Sequence, residues 1–452
     1  MPTITEKEHE KDILQDFVST LHDADFEHLE ELLEDMHPAE IAHTLESLPA
    51  TERDVIWQHI PAEIRGEVLL DLNDTARANF INKMQPKELV AATESLETDD
   101  LADILPDMPR EISHELLLSM EHEDREQLRS VLSYPEDSAG GLMDLNTVIV
   151  RADTSLDVVL RYLRRLGSIP EHTNNLFVVD RDGIYQGKLP LTDLLTHDPA
   201  SFVHEIMEYD DEGINADMSA RDVANLFEHR DLITAPVVSG EGQLLGRITI
   251  DDVVDVIRDE ADHSLMSMAG LNEEEDMFSP VISSTRRRSI WLGVNLMTAF
   301  FASWIIGQFD QTIEKLVALA ILMPIVASMG GIAGSQTLTL MIRGMALGQI
   351  SSSNAKTLIV KESLVGVWNG FIWALVIACV AGFWFNSLQL AYVIAAAILI
   401  NLVIAAVSGA TIPLILKRLG ADPALSGTVV LTTVTDVVGF LSFLGLAALF
   451  LV

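Results

Sequence analysis

SGTVVLTTVTDVVGFLSFLGLAALFLV, residues 426–452, is almost wholly apolar and longer than the ~20 residues a helix needs to cross the hydrocarbon core of a bilayer. It carries one carboxylate, Asp436, near its middle. An isolated charge at that depth costs at least ~2.5 kcal/mol, so such groups face a water-filled path or a partner rather than acyl chains. Asp436 therefore reads as lining a cation pathway. The plainer reading is a protonated acid, or one that hydrogen-bonds a neighbouring helix as packing glue. Thr432, Thr433 and Thr435 favour the pathway, because they bring hydroxyl oxygens within one turn of Asp436 and hard cations prefer such oxygens.

Outward from this stretch, apolar crossings are expected at about 289–309, 314–342, 363–385 and 390–416, with the last at 427–452. Arg343, Lys356, Lys361, Lys417 and Arg418 fall in the second and fourth loops, while the first and third, FDQTIEK and NSLQ, hold only Lys315. By the positive-inside rule the N-terminus is cytoplasmic and the C-terminus outside, with Arg286, Arg287 and Arg288 at the cytoplasmic face. The second crossing contains Pro324 and the small-residue run MGGIAGSQ at 329–336, which predicts a broken backbone beside a cavity. Gly330 and Gly331 are then expected to line the pore with Thr432 and Thr435. Gly330 and Gly334 also form a G-x-x-x-G pair, for which close helix packing is the alternative.

Charge divides the chain. The 452 residues carry a net charge of −39, but residues 1–280 hold 20 basic and 63 acidic residues while the rest hold nine and five. All 13 histidines lie in the front part, which excludes H-E-x-x-H zinc-protease chemistry from the membrane region. The single cysteine, Cys379, lies in an apolar run, so no intrachain disulfide or thiol–metal role is expected. MPTITEKEHEKDIL shows no basic segment before an apolar run, so no cleavable signal is expected.

Between Met36 and Arg110, prolines 38, 49, 61, 86 and 109 mark a period near 12 residues, each followed by an apolar stripe at helical spacing such as Ile41, Leu45, Leu48. Short helices that cannot bury a face alone must stack, giving an α-solenoid-like N-terminal domain. Its face is acidic, with Asp99 and Asp103 four residues apart and repelling. Such a face is either a solvated surface or one that divalent cations screen.

Next comes a duplication. LFVVDRDGIYQGKLPLTDLL from Leu176 aligns with APVVSGEGQLLGRITIDDVV from Ala235, keeping Gly183/Gly242, Gly187/Gly246 and Asp193/Asp252 at an offset of 59. The repeated unit is β-α-β-β-α and resembles a pair of CBS domains, whose turn G-x-h-T-x-x-D is intact as Gly246, Thr249 and Asp252 but has Pro190 in the first copy. That resemblance implies a ligand sensor, with Thr249 and Asp252 on an adenine nucleotide such as ATP. No phosphate loop, nucleophile elbow or Cys/His cluster is present, so no enzyme activity is expected.

Taken together, YPEDSAGGLM at 134–143, TIDDVVDV at 249–256, P-x5-GGxxGxQ from Pro324 to Gln336, RLGADPAL at 418–425 and the Asp436 helix resemble the MgtE family of magnesium channels and transporters over essentially the whole chain. The resemblance implies a homodimer in the bacterial inner membrane. It also implies a helical domain at 1–135, CBS domains at 136–201 and 202–262, a connecting plug helix at 263–288 and an all-α pore domain of five crossings at 289–452. The pore acid matches Asp436, and Asp99, Asp103, Asp231, Asp252 and Asp255 match positions that bind regulatory Mg²⁺. Ile332 and Ser335 stand where the family's glycine motif has asparagines, and His263 and Ser264 where it has acidic sensor residues. The expected partners are a second copy, the bilayer and Mg²⁺, with no nucleic acid. The alternatives are a transporter of another divalent cation (Co²⁺, Mn²⁺ or Ca²⁺), or one gated mainly by adenine nucleotide. An intramembrane aspartyl protease is disfavoured, since it needs two carboxylates sharing a proton and Asp436 is the only acid deep in a crossing.

Overall fold

In a computed structural model the protein is described over residues 17, 19–21, 25–93, 96, 98–120, 122–170, 172–209, 213–271, 277–351 and 353–452. It forms two compact units, Met1–Glu260 with Glu274–Pro280, and Ala261–Glu273 with Val281–Val452.

The first unit opens with short helices: α1 (Phe26–Glu34), α2 (Pro38–Glu46), α3 (Ala50–His59), α4 (Arg65–Asp71), α5 (Asp74–Lys83), α6 (Pro86–Thr93), α7 (Thr98–Ile104), α8 (Arg110–Ser119) and α9 (His122–Val131). Pro38 and Pro86 are first residues of their helices, and Pro49 and Pro109 cap α3 and α8, positions where the missing N–H costs nothing. Pro61 departs from the rule: a turn follows it, and α4 starts only at Arg65. The helix ends are tied by a second period that the prolines do not reveal, since Arg53, Arg65 and Arg77 recur every 12 residues. Buried Arg53 donates to Glu46 O (3.0 Å), a carbonyl in the last turn of α2, and to Leu48 O (2.7 Å) in the link that follows it. Arg65 repeats this on Ile60 O (3.0 Å) and Gln58 O (3.3 Å), whereas Arg77 turns to Asp107 (2.9 Å) and Asp74. Ile41, Leu45, Ile56, Leu69 and Phe80 belong to a core that continues without a break to Ile248 and Val253 of the second repeat.

The first repeat is β1 (Ile149–Arg151), α10 (Leu156–Leu166), β2 (Asn175–Val179), β3 (Tyr185–Pro190) and α11 (Leu191–Thr196); α12 (Val203–Ile206) and β4 (Glu208–Tyr209) follow. The second is β5 (Ile214–Asn215), α13 (Ala220–Arg230), β6 (Thr234–Val238), β7 (Leu244–Thr249) and α14 (Ile250–Met268). In each, the first strand runs parallel to the second and the second antiparallel to the third. The offset of 59 survives in the register: Val178 faces Gly187 and Val237 faces Gly246, with a bulge after each valine. Arg247 and Asp144, both nearly fully buried, are joined by a salt bridge (2.8 Å) and by a reciprocal backbone pair, which fastens the segment before β1 to β7.

The second unit contains the end of α14, then α15 (Val281–Gly307), α16 (Asp310–Lys315), α17 (Ala318–Ala346), α18 (Ala355–Phe385), α19 (Leu388–Arg418) and α20 (Pro423–Phe450). Among the described residues, α15, α17, α18, α19 and α20 are long and apolar enough to cross a membrane. The expected backbone break in the second crossing does not occur: α17 runs unbroken through Pro324 and Met329–Gln336. Pro324 withdraws only one helix hydrogen bond, the one to Ala320 O, and the glycines serve contact instead. A Cβ at Gly409 would come within 2.6 Å of Gly334 O, and one at Gly334 within 2.9 Å of Leu431, so α17, α19 and α20 meet through small residues.

Candidate ion pathway

One face of α17 and one of α20 wall an open groove of about 800 Å³, lined by Ala327, Ser328, Gly331, Ile332, Ser335, Gln336, Thr339, Thr432 and Asp436. The α17 residues recur at three- and four-residue intervals, as one helical face must. Asp436 is half-buried there and has no hydrogen-bond or ion-pair partner among the described residues. Thr432 lies one turn away, and its hydroxyl donates to Thr428 O (2.7 Å), so its oxygen lone pairs remain for the groove.

The other pore-lining expectations fall elsewhere. Gly330 is buried against Asn401 of α19, and a Cβ there would run into the Asn401 amide, so only its neighbour Gly331 reaches the groove. Thr435 is fully buried and donates to Thr432 O (3.1 Å), and Thr433 donates to Val429 O (2.7 Å). On a helix, positions 432 and 436 share a face while 433 and 435 point away. Ser328 and Thr339 were not singled out in the sequence; the available signal was a hydroxyl stripe, Ser328, Ser335 and Thr339 with Gln336, in an otherwise apolar helix.

The end of α14 packs in the same unit. Met268 joins the cluster of Leu338, Ile342, Ile412, Ala424 and Leu431, and Thr339 Oγ1 lies 3.9 Å from its Sδ. Thr339 thus belongs to the groove and to the contact with α14. His263, further up α14, lies 3.4 Å from Asp422, whose carboxylate caps α20 through the Ala424 and Leu425 amides.

The remaining acids lie in the first unit. Asp99 is on α7, its side chain outside the described residues, and Asp103 is exposed on the same helix. Asp231 closes α13 in a left-handed conformation (φ 51°) and is exposed. Asp252 accepts from Thr249 Oγ1 (3.0 Å) and Thr249 N (3.3 Å), so the two expected nucleotide-binding residues are brought together at the start of α14. Asp255, one turn on, faces Asp71 of α4, a residue that sequence reading passed over because the pair arises only from tertiary packing. Burial first, then the Asp255 charge, raises the pKa of Asp71, against the lowering effects of His37 and Arg258. Burial also raises Asp255, with Asp251 adding to the shift and Arg258 opposing it. Both residues keep over a third of their surface exposed, so the desolvation is partial. No cluster of three or more metal-type side chains occurs among the described residues.

These features define a polytopic membrane protein that carries a helical domain and a CBS pair. Family models match all three parts: the divalent cation transporter domain MgtE over residues 323–446, the MgtE intracellular N domain over 36–137, and CBS domains over 139–199 and 203–259. A magnesium transporter MgtE of Thermus thermophilus is 31% identical over 95% of this chain and 97% of its own length. One of Bacillus subtilis is 30% identical over 74% of each. The chain belongs to the MgtE family. A solved structure of the cytosolic domain of the Mg²⁺ channel MgtE in complex with ATP is 33% identical, covering 54% of this chain and 99% of its own, with a TM-score of 0.49.

Proposed function

We propose that the protein is a Mg²⁺-selective channel or transporter of the bacterial inner membrane, working as a homodimer and closed by cytoplasmic Mg²⁺. The observation that carries this reading is Asp436: a carboxylate without a protein partner, in an open groove between apolar helices. A groove open along one side is half a pathway, and a second copy related by a two-fold axis closes it. Two Asp436 carboxylates then supply −2 against the +2 of the ion. Mg²⁺ dehydrates reluctantly, so hydroxyls and carboxylates need only accept hydrogen bonds from its water shell. Ile332, an apolar residue in the groove, favours a second reading in which other divalent cations also pass.

For the gate, the unit holding Asp71, Asp251, Asp252 and Asp255 is held against its own repulsion by the core beneath it. Mg²⁺ at these acids, and at Asp99, Asp103 and Asp231, bridges them across domain and subunit boundaries. The closed arrangement then presses the end of α14 on Thr339 at the groove. An ion that binds only the closed state at 100 times its dissociation constant contributes ~2.7 kcal/mol, and two such ions reach the ~5.5 kcal/mol that inverts a two-state gate. An adenine nucleotide occupies at most one site per chain, at Thr249 and Asp252, because Pro190 leaves the first copy without the hydroxyl.

Flux of Mg²⁺ into proteoliposomes tests the reading. Asp436→Ala abolishes it with folding and dimerisation intact, and normal flux through that variant overturns it. Competing Co²⁺, Mn²⁺ and Ca²⁺ in the same assay decide between the two selectivity readings.

A further inference from the structure

Asn401 is 0% exposed, at the middle of α19, with no side to lipid or groove. Its Nδ2 donates to Val326 O of α17 at 2.8 Å, which fixes the orientation of the amide, since a carbonyl can only accept. Its Oδ1 is buried and takes no hydrogen bond among the described residues. Two glycines admit it: a Cβ at Gly330 of α17 would collide with Nδ2, and one at Gly439 of α20 would come within 2.8 Å of the same atom. Both glycines stand directly behind the groove. Gly330 precedes Gly331 in its lining, and Gly439 is one turn beyond Asp436.

A buried acceptor left unpaired is costly at membrane depth, and an aliphatic side chain of similar shape would avoid it. The amide is therefore a poor way to add stability. What it does is fix three helices at one point: it bonds the backbone of α17 while filling notches in α17 and α20. This side chain therefore ties α17 and α20 together directly behind the groove residues Gly331 and Asp436.

We infer that Asn401 is a positioning residue for permeation: through Val326 and the Gly330 and Gly439 notches it holds Asp436 at the height and spacing that selects a hydrated divalent cation. This rests on the reading of Asp436 as the ion site. The test uses the full-length protein in proteoliposomes and measures thermal unfolding, Mg²⁺ flux and the ratio of Mg²⁺ to Co²⁺ flux. Asn401→Leu is expected to fold, with flux and ratio each lowered about tenfold, because the walls are no longer tied. Gly330→Ala is expected to lose folding or flux, and Gly330→Ala with Asn401→Ala to regain folding by making room, but not the parental ratio. Parental flux and ratio in Asn401→Leu overturn the inference, as does reduced flux at an unchanged ratio, which marks a general packing role. If Asn401→Leu does not fold, the double variant decides: folding with parental ratio overturns the inference, folding with a lowered ratio supports it. Failure of both to fold makes Asn401 a folding residue and also overturns it. Asp436→Ala measured alongside separates the two claims: if it conducts, the ion-site reading fails, and if it is silent while Asn401→Leu is parental, only the present inference fails.

Discussion

The two units solve opposite electrostatic problems with the same side chain. In the membrane unit, one carboxylate per chain stands without a charged neighbour, in low-dielectric surroundings where a single charge is felt strongly. In the other unit, carboxylates crowd one another under solvent that screens each of them, and Asp71 and Asp255 are pushed toward the protonated state first by partial burial and then by a neighbouring carboxylate, Asp255 for Asp71 and Asp251 for Asp255. A lone acid suits an ion in passage, which must enter and leave. A crowd suits an ion that stays and holds domains together, since its effect adds over several sites.

That contrast can be broken most severely at its single-acid end. Asp436→Ala should lower Mg²⁺ flux by about a hundredfold or more, each tenfold step being ~1.4 kcal/mol, with unchanged assembly by size-exclusion chromatography. At the crowded end no one acid should be so decisive. Asp99→Ala with Asp252→Ala should leave peak flux intact and raise open probability at high cytoplasmic Mg²⁺ by about tenfold, read by single-channel recording and by protease cleavage near Gly270.

The Asp71–Asp255 pair sharpens the comparison through pH. An acid whose folded pKa is raised stabilises the packed arrangement while protonated, and this contribution is lost as pH rises through the folded value. Without Mg²⁺, protection of α4 and α14 from hydrogen exchange should thus fall as pH rises above the ordinary carboxylate range, and Mg²⁺ should restore it. Asp71→Asn should flatten the pH response and raise the Mg²⁺ required by about threefold, as the ion loses one of the carboxylates it bridges. The smallest effect expected is structural. Arg53→Ala, which orphans the Glu46 and Leu48 carbonyls at the end of α2, should cost the helical domain about 1–3 kcal/mol in denaturant titration, and the more exposed Arg65 less.

What could be read from the sequence follows from what is local. The repeat offset of 59 appears unchanged as strand register, and the proline period as helix starts at every one of its prolines but Pro61, because turn geometry and helix capping are decided within a few residues. The lining of the groove was only half legible. Thr432 and Asp436 share a helical face by spacing alone, but whether Gly330 or Gly331 faces the groove depends on Asn401, which is more than 70 residues away and approaches from another helix. Asp71 escaped for the same reason: its partner is 184 positions further on. The broken backbone expected at Pro324 failed because neighbouring helices, pressed into the glycines, hold a continuous helix that an isolated segment would not keep.

The central claim is that the Asp436 carboxylates of two copies meet one divalent cation. Its most direct measurement is anomalous scattering from crystals of the full-length protein soaked in Mn²⁺, as a stand-in for Mg²⁺, with Asp436→Asn crystals treated in the same way. The account predicts one peak on the two-fold axis between the paired carboxylates, at a distance that leaves room for the ion's water shell, and no peak there in the variant. A peak that persists in Asp436→Asn, or a parent groove that holds no ion while the acids of the other unit do, would contradict it.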